Sequence, residues 1–467
     1  MGFILTIFYL VVSYLTPVAL FGHLAVFRIE LILAAVVFLV SLPALSKSFI
    51  LKSPQSLALI GLALAVFMSV LIAVRWPGGA VYAFLGFLPS AFAYFLVCLH
   101  CDSKKKLQVL VLMLLFVCLF VIAHGCNDLS HGIPETAHHL PDDTYRAMLD
   151  RWKIEHPYLL PMPNAQEGSL YRLRGLGEIN DPNDFGQLIV CVIPLLFIFW
   201  RPKKAPRNFV LVLLPVCALL YGLFLTHSRG ALLALVAMII VALRRRIGTL
   251  PALLIAGGVL AAAMALNFTG GRDISADAGQ DRTILWGESL QALKSHPLFG
   301  VGFGGLSDYI DSHHTAHNSV AVCAAETGLF GLFFWSMFLF PVVRDALAAA
   351  SPAKVSDGEL IEPEKGLFPR ASRTIEAVDK EEINRLGRLL ILSLTGFLVA
   401  GWFLSRAFVM TFFLLGGLVE VVYQMALRRG MIAPRMRLAR LLRYASGLAI
   451  LLVIGLYITI RILNRMH

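Results

Sequence analysis

Apolar runs of about 20 residues recur along this chain at short intervals, and no other feature restricts its fold so strongly. A helix rises about 1.5 Å per residue, so a run of that length matches the hydrocarbon thickness of a bilayer. The runs fall near residues 3–21, 27–45, 56–75, 79–99, 106–124, 184–200, 208–226, 230–243, 250–267, 318–343, 387–405, 407–426 and 443–462. The expected fold class is therefore all-α, a polytopic transmembrane helical bundle of 12–13 spans with a large helical loop on its outer side. Hydrophobic residues make up 58% of the 467, and mean hydropathy is +0.77, which excludes an ordinary water-soluble globular protein. The first run, "FILTIFYLVVSYLTPVALF", has neither a basic leading region nor a small-residue cleavage site, so it is expected to stay as a span.

The net charge of +11 does not point to nucleic acid. The basic residues lie in short clusters between runs: "SKSFILK", "DSKKK", "RPKKAPR", "RRR" at 244–246 and "RR" at 428–429. These fall in alternate loops, so the positive-inside bias places all of them in the cytoplasm, with the N-terminus. Thirteen spans would then leave the C-terminus outside. "RMRLARLLRY", ahead of the last run, also reads as an interfacial amphipathic helix. The seven cysteines lie mostly inside runs. Cys98 and Cys101 form a C-x-x-C without a second pair, so neither a metal site nor a disulfide framework is expected.

Composition divides the chain into N-terminal transmembrane helices (1–125), a first external loop (126–183), a core (184–343) with a second external loop at 268–317, a cytoplasmic insertion (344–386) and C-terminal transmembrane helices (387–467). The insertion is charged and turn-rich and is expected to be partly disordered.

Polar residues able to do chemistry gather in the two external loops and one tight turn. "YRLRGLGEINDPNDFG" at 171–186 places Arg172 and Arg174 outside, against the positive-inside bias, and ends where Asn183 or Asp184 can cap the next helix. "THSRGALLAL" at 226–235 puts Arg229 in a turn too short to be a solvated domain. Arg282, Leu285, Trp286, Leu290 and Leu293 have helical spacing, which predicts an amphipathic helix with Arg282 on its first turn. The glycines of "FGVGFGG" follow no strand, so they predict a bend back to the membrane rather than a nucleotide site.

"DSHHTAHNS" holds His313, His314 and His317, but the spacing fits no common zinc site. One histidine acting as a base suits the pattern better, since imidazole takes a proton near neutral pH. Glu326 lies nine residues further on, about 13 Å deeper on a helix, and Arg406 is a candidate partner for it.

At these residues the chain resembles the O-antigen ligases and the related O-antigen polymerases. His317-Asn318, nine residues, Gly328, two residues and Gly331 match that family's pattern. "THSRGALLAL" resembles its Ser-Arg-Gly turn, "DRTILWGESLQALKSHPLFGVGFGG" the segment ahead of its histidine, and "DPNDFG" a feature of its polymerases. The resemblance covers about residues 170–345 closely.

It implies a GT-C-like glycosyltransferase of the bacterial inner membrane. Such an enzyme moves a glycan from undecaprenyl pyrophosphate to a sugar hydroxyl, on a glycan or lipid A-core acceptor, at the periplasmic face. Inversion without metal or other cofactor is implied as well. His317 matches the family histidine and is expected to be the base. Arg229 and Arg282 match its arginines, and Arg172 and Arg174 are further candidates for the pyrophosphate. Asn318, Asp311, Glu326 and Asp184 are supporting candidates that orient the ring or the acceptor. The alternative reading is a transporter or flippase of lipid-linked glycans. It predicts polar residues near the bilayer midplane and paired repeats, whereas here the polar residues gather at one face and no repeat is visible.

Overall fold

The computed structural model describes residues 1–21, 28–46, 48, 50–130, 148, 151–162, 170–268, 276–310, 315–351 and 380–464. The molecule is a polytopic all-α bundle. Its helices are α1 (Gly2–Leu15), α2 (Ile29–Ser46), α3 (Pro54–Ala73), α4 (Pro77–His100), α5 (Lys104–Leu129), α6 (Pro182–Leu195) and α7 (Leu214–Thr226). There follow α8 (Arg229–Ile247), α9 (Thr249–Ala265), α10 (Ala276–Ser295), α11 (Ser319–Ala350), α12 (Lys380–Gly401), α13 (Met410–Leu427) and α14 (Leu438–Leu463). Every expected span coincides with one of these, and α10 is the expected loop helix, but it starts earlier than expected, so Arg282 lies in its second turn and not its first.

Among the described residues, eleven helical segments are long and apolar enough to cross a membrane. Two expected spans fall short for separate reasons. α8 carries Arg229 at its start and Arg244, Arg245 and Arg246 in its last turn, while α9 has 17 residues. α14 runs unbroken through "LARLLRY", so that stretch is the first part of the last helix and not a separate interfacial one.

Most of the expected insertion is not described. α11 continues to Ala350 and α12 starts at Lys380, and residues 352–379 lie outside the described residues. The first external loop also differs from a purely helical one, because β1 (Leu159–Met162) and β2 (Leu170–Leu173) pair antiparallel with Leu160 opposite Arg172.

α13 lies at the centre of the core. Phe412 and Phe413 are fully buried and meet Phe338 of α11 edge-on at 5.1 and 5.2 Å between ring centroids. α2 and α14 instead turn Leu31, Leu39, Ile450 and Leu451 outward, as suits helices whose solvent is lipid. A second, smaller core joins Leu285 and Trp286 of α10 to Val301 and Leu306, to Ala321, Val322 and Ala325 of α11, and to Leu456 of α14. It fastens the second loop onto one end of the bundle.

α11 is broken within its first third. Gly328 has φ 65°, and a Cβ there would meet the Leu298 carbonyl oxygen at 2.3 Å. Gly300, at φ 69°, faces the break from the loop, where a Cβ would stand 2.4 Å from the Ala325 oxygen. Both positions need a residue without a side chain. The glycine-rich stretch thus bends back onto a helix, as its composition predicts.

Candidate active site

Four helix N-termini meet at the end of the bundle where the second loop docks, and each is capped by a polar side chain. For α6 the cap is Asp181, whose Oδ1 accepts from Asn183 N at 2.7 Å, and not Asn183 or Asp184 as expected. Pro182 occupies the first helical position, which makes the residue before it the cap. Ser228 Oγ accepts from Ala231 N at 3.3 Å for α8. Asn318 Oδ1 accepts from Val320 N and Ala321 N at 2.9 and 3.0 Å for α11. Met410 N, at the start of α13, donates to Glu178 Oε2 at 2.8 Å. Helix N-termini carry partial positive charge, so this end of the bundle favours an anion before any side chain is counted.

The caps are wired to the arginines. Asn183 Oδ1 accepts from both Arg172 Nη2 (3.1 Å) and Ser228 Oγ (2.9 Å), while Arg172 Nε donates to the Thr226 carbonyl at 3.0 Å. This ties β2, α6 and the turn before α8 together, with Arg172 buried in the joint. Arg229 follows the Ser228 cap directly. Burial, then Arg229, depress the Arg282 guanidinium's hold on its proton; burial and Arg229 outweigh Asp181 to do the same at Arg172. Arg172, Arg229 and Arg282 therefore share one electrostatic neighbourhood. Arg174 turns to the Pro157 carbonyl at 3.0 Å, and burial depresses it too, against Asp181.

The link between α12 and α13, residues 402–409, is the hub that brings the histidine in. His317 N donates to Ser405 Oγ at 2.8 Å, Ser319 Oγ donates to the Leu404 carbonyl at 2.7 Å, and Asn318 Nδ2 donates to the Trp402 carbonyl at 3.0 Å. His317 itself sits at φ 48°, a left-handed conformation that turns it off the helix just ahead of the cap. Trp286, one turn beyond Arg282 on α10, lies edge-on to Trp402 at 6.2 Å between ring centroids. From the same link, Arg406 forms a two-pronged ion pair with Asp184, Nε to Oδ1 at 2.5 Å and Nη2 to Oδ2. Asp184 holds the Arg406 guanidinium above its ordinary value, in spite of burial.

One expectation changes. Arg406 pairs with Asp184 and not with Glu326. The Glu326 carboxylate instead faces the backbone N–H groups of Gly304 and Leu306, away from the histidine. Asn318 caps α11 through its Oδ1 and donates from Nδ2 to the Trp402 carbonyl, which ties the backbone beside His317 to the link. Asp311, His313 and His314 lie outside the described residues.

Arg406 is the site residue that sequence reasoning misplaced. The signal was available: it is an arginine between two spans on the outer side, the same reasoning that singled out Arg229. Glu178, in the same 171–186 stretch as Arg172, bridges Ser90 Oγ (2.7 Å) and Met410 N, a role that nothing in its local sequence marks. Burial pushes its carboxyl up, opposed by those two bonds and by Arg406.

The arrangement brings the His317 backbone and Arg406 onto one link, and Arg172, Arg229 and Arg282 into one electrostatic neighbourhood, at an end of the bundle whose helix N-termini suit an anion. No curated protein matches the chain. The family model for O-antigen ligase matches residues 214–336, a stretch that contains Arg229, Arg282, His317, Glu326 and both glycines of the motif. The chain is thus a multi-pass membrane protein whose residues 214–336 match the O-antigen ligase family model, and that match supports a glycan-processing role of the ligase or polymerase type.

Proposed function

We propose that the protein transfers a glycan from undecaprenyl pyrophosphate to a sugar hydroxyl at the periplasmic face of the bacterial inner membrane, with inversion and without a metal ion. The observation that carries this reading is the meeting of His317, Arg172, Arg229, Arg282 and Arg406 at one end of the bundle, around the 402–409 link. His317 takes the proton of the acceptor hydroxyl as its oxygen attacks the anomeric carbon. The bond from that carbon to pyrophosphate breaks on the opposite face. Negative charge grows on the leaving pyrophosphate, and the guanidinium groups and helix N-termini meet it. One such donor supplies about 3 kcal/mol of transition-state stabilisation.

Membranes carrying H317A or R282A test the reading. Each variant should reach the membrane and leave lipid-linked glycan unconsumed, whereas full transfer by H317A would remove the histidine from its role. A chelator should leave transfer unchanged; loss of activity restored by a divalent cation would overturn the metal-free chemistry. A deletion strain distinguishes the acceptor. Short single-unit glycan marks a polymerase, and long glycan retained on its carrier marks a ligase.

A further inference from the structure

The break in α11 is closed by another part of the chain. A helix interrupted at Gly328 loses backbone hydrogen bonds on both sides of the interruption, and in hydrocarbon such groups need partners. The loop after α10 supplies them. Val301 N donates to the Ala325 carbonyl (2.9 Å) and Gly302 N to the Glu326 carbonyl (3.1 Å). In return, Leu329 N donates to the Pro297 carbonyl (2.8 Å) and Phe330 N to the Leu298 carbonyl (3.1 Å). Glu326 then holds the same loop a second time, its carboxylate facing the N–H groups of Gly304 and Leu306. It is buried, and its carbonyl and side chain both serve this one junction.

Upstream, the loop is continuous with α10, which carries Arg282. Downstream of the loop the chain reaches His317, at the head of the very helix that Glu326 belongs to. The separation between Arg282 and His317 is therefore fixed at two places. One is the contact of Trp286 with Trp402; the other is the junction at Glu326.

We propose that Glu326 is a positioning residue, which sets the Arg282 guanidinium relative to His317 by anchoring the 297–306 loop to the break in α11. This rests on the transfer reading above. A carboxylate suits the task because it accepts from two N–H groups at once, whereas an amide offers one accepting oxygen and turns its own N–H₂ toward the second donor.

The test is a pair of double-mutant cycles, read as affinity for undecaprenyl pyrophosphate with the full-length protein in nanodiscs and as transfer of the endogenous lipid-linked glycan in native membranes. E326A should weaken undecaprenyl pyrophosphate binding about tenfold, in line with losing hydrogen bonds to a charged group. On an R282A background it should cost nothing further, because the group it positions is gone. On an R172A background, where the arginine is held by Asn183 and Thr226, it should cost the full tenfold again. E326Q should retain part of the effect and show the same dependence on Arg282, and it replaces E326A in both cycles if the alanine variant fails to fold. Equal losses on both backgrounds would overturn the proposal, since a general weakening of the bundle has no reason to single out Arg282. The transfer reading fails in a different way, by undiminished transfer with R282A and H317A, so the two failures are distinguishable.

Discussion

Arginine serves opposite purposes at the two ends of this bundle. Away from the site, Arg435 lies between two fully buried carboxylates. It meets Asp345 Oδ2 at 2.6 and 2.9 Å, pairs with Glu420, and stands 4.3 Å from the centre of the Tyr423 ring. Arg344 takes the other oxygen of Asp345 at 3.1 Å, and Gln55 and Gln424 fill remaining positions. Burial there is outweighed by Asp345 and Glu420, and the Arg435 guanidinium is held well above its ordinary value. At the site end Arg406 is likewise held up, by Asp184, but Arg172 and Arg282 go the other way: burial and Arg229 push both down, against Asp181 at Arg172. Arg172 donates to an amide oxygen and a carbonyl, neutral acceptors that do not cancel its charge, and only Asp181 nearby acts to favour it. Compensated arginines lock helices together. Arginines gathered in one place, where burial and a like charge work against the guanidinium, favour an arriving anion.

Substitutions should separate the two ends cleanly. The largest effect belongs to H317A, with transfer reduced roughly 10²–10⁴-fold and thermal stability close to that of the parent. R435A should do the reverse: about 3–5 kcal/mol of stability lost from two stranded carboxylates, read as a lowered unfolding temperature in detergent. If R435A instead kept its stability and lost only transfer, the contrast between the ends would collapse. R282A should lower transfer about 10²–10³-fold with little change in unfolding temperature. D184N, which loosens Arg406 at a partly exposed position, should cost roughly tenfold in transfer. The smallest effect is the most diagnostic: added salt should weaken undecaprenyl pyrophosphate binding at the site end, while the buried Arg435 cluster, and the unfolding temperature with it, should barely respond.

The helices were legible because bilayer thickness imposes a length that no side-chain detail can hide. The break in α11 was not. Gly328 sits in an apolar run that reads as continuous helix, and its left-handed backbone depends on a loop arriving from thirty residues earlier in the chain. Arg229, Arg282 and His317 could be picked out from their place in the outer segments and from motif spacing. Their supports were harder, because a cap such as Asp181 looks like its neighbours in "NDPND" until the proline is taken as the first helical residue. The partner of Arg406 was unreadable for a simpler reason: Asp184 is 222 positions away, and nothing local marks the pair.

The seam in α11 also limits how the molecule can move. Many enzymes admit substrate by swinging a loop aside, and a segment of this length beside the reactive groups is an obvious candidate for a door. Here the segment completes the hydrogen-bond ladder of a membrane helix, about 15 Å along α11 from its outer end. Lifting it would bare four donor–acceptor pairs where no water waits to take them, at several kcal/mol for each unsatisfied group. It is wall, not door, and a substrate for the proposed site has to enter past some other segment.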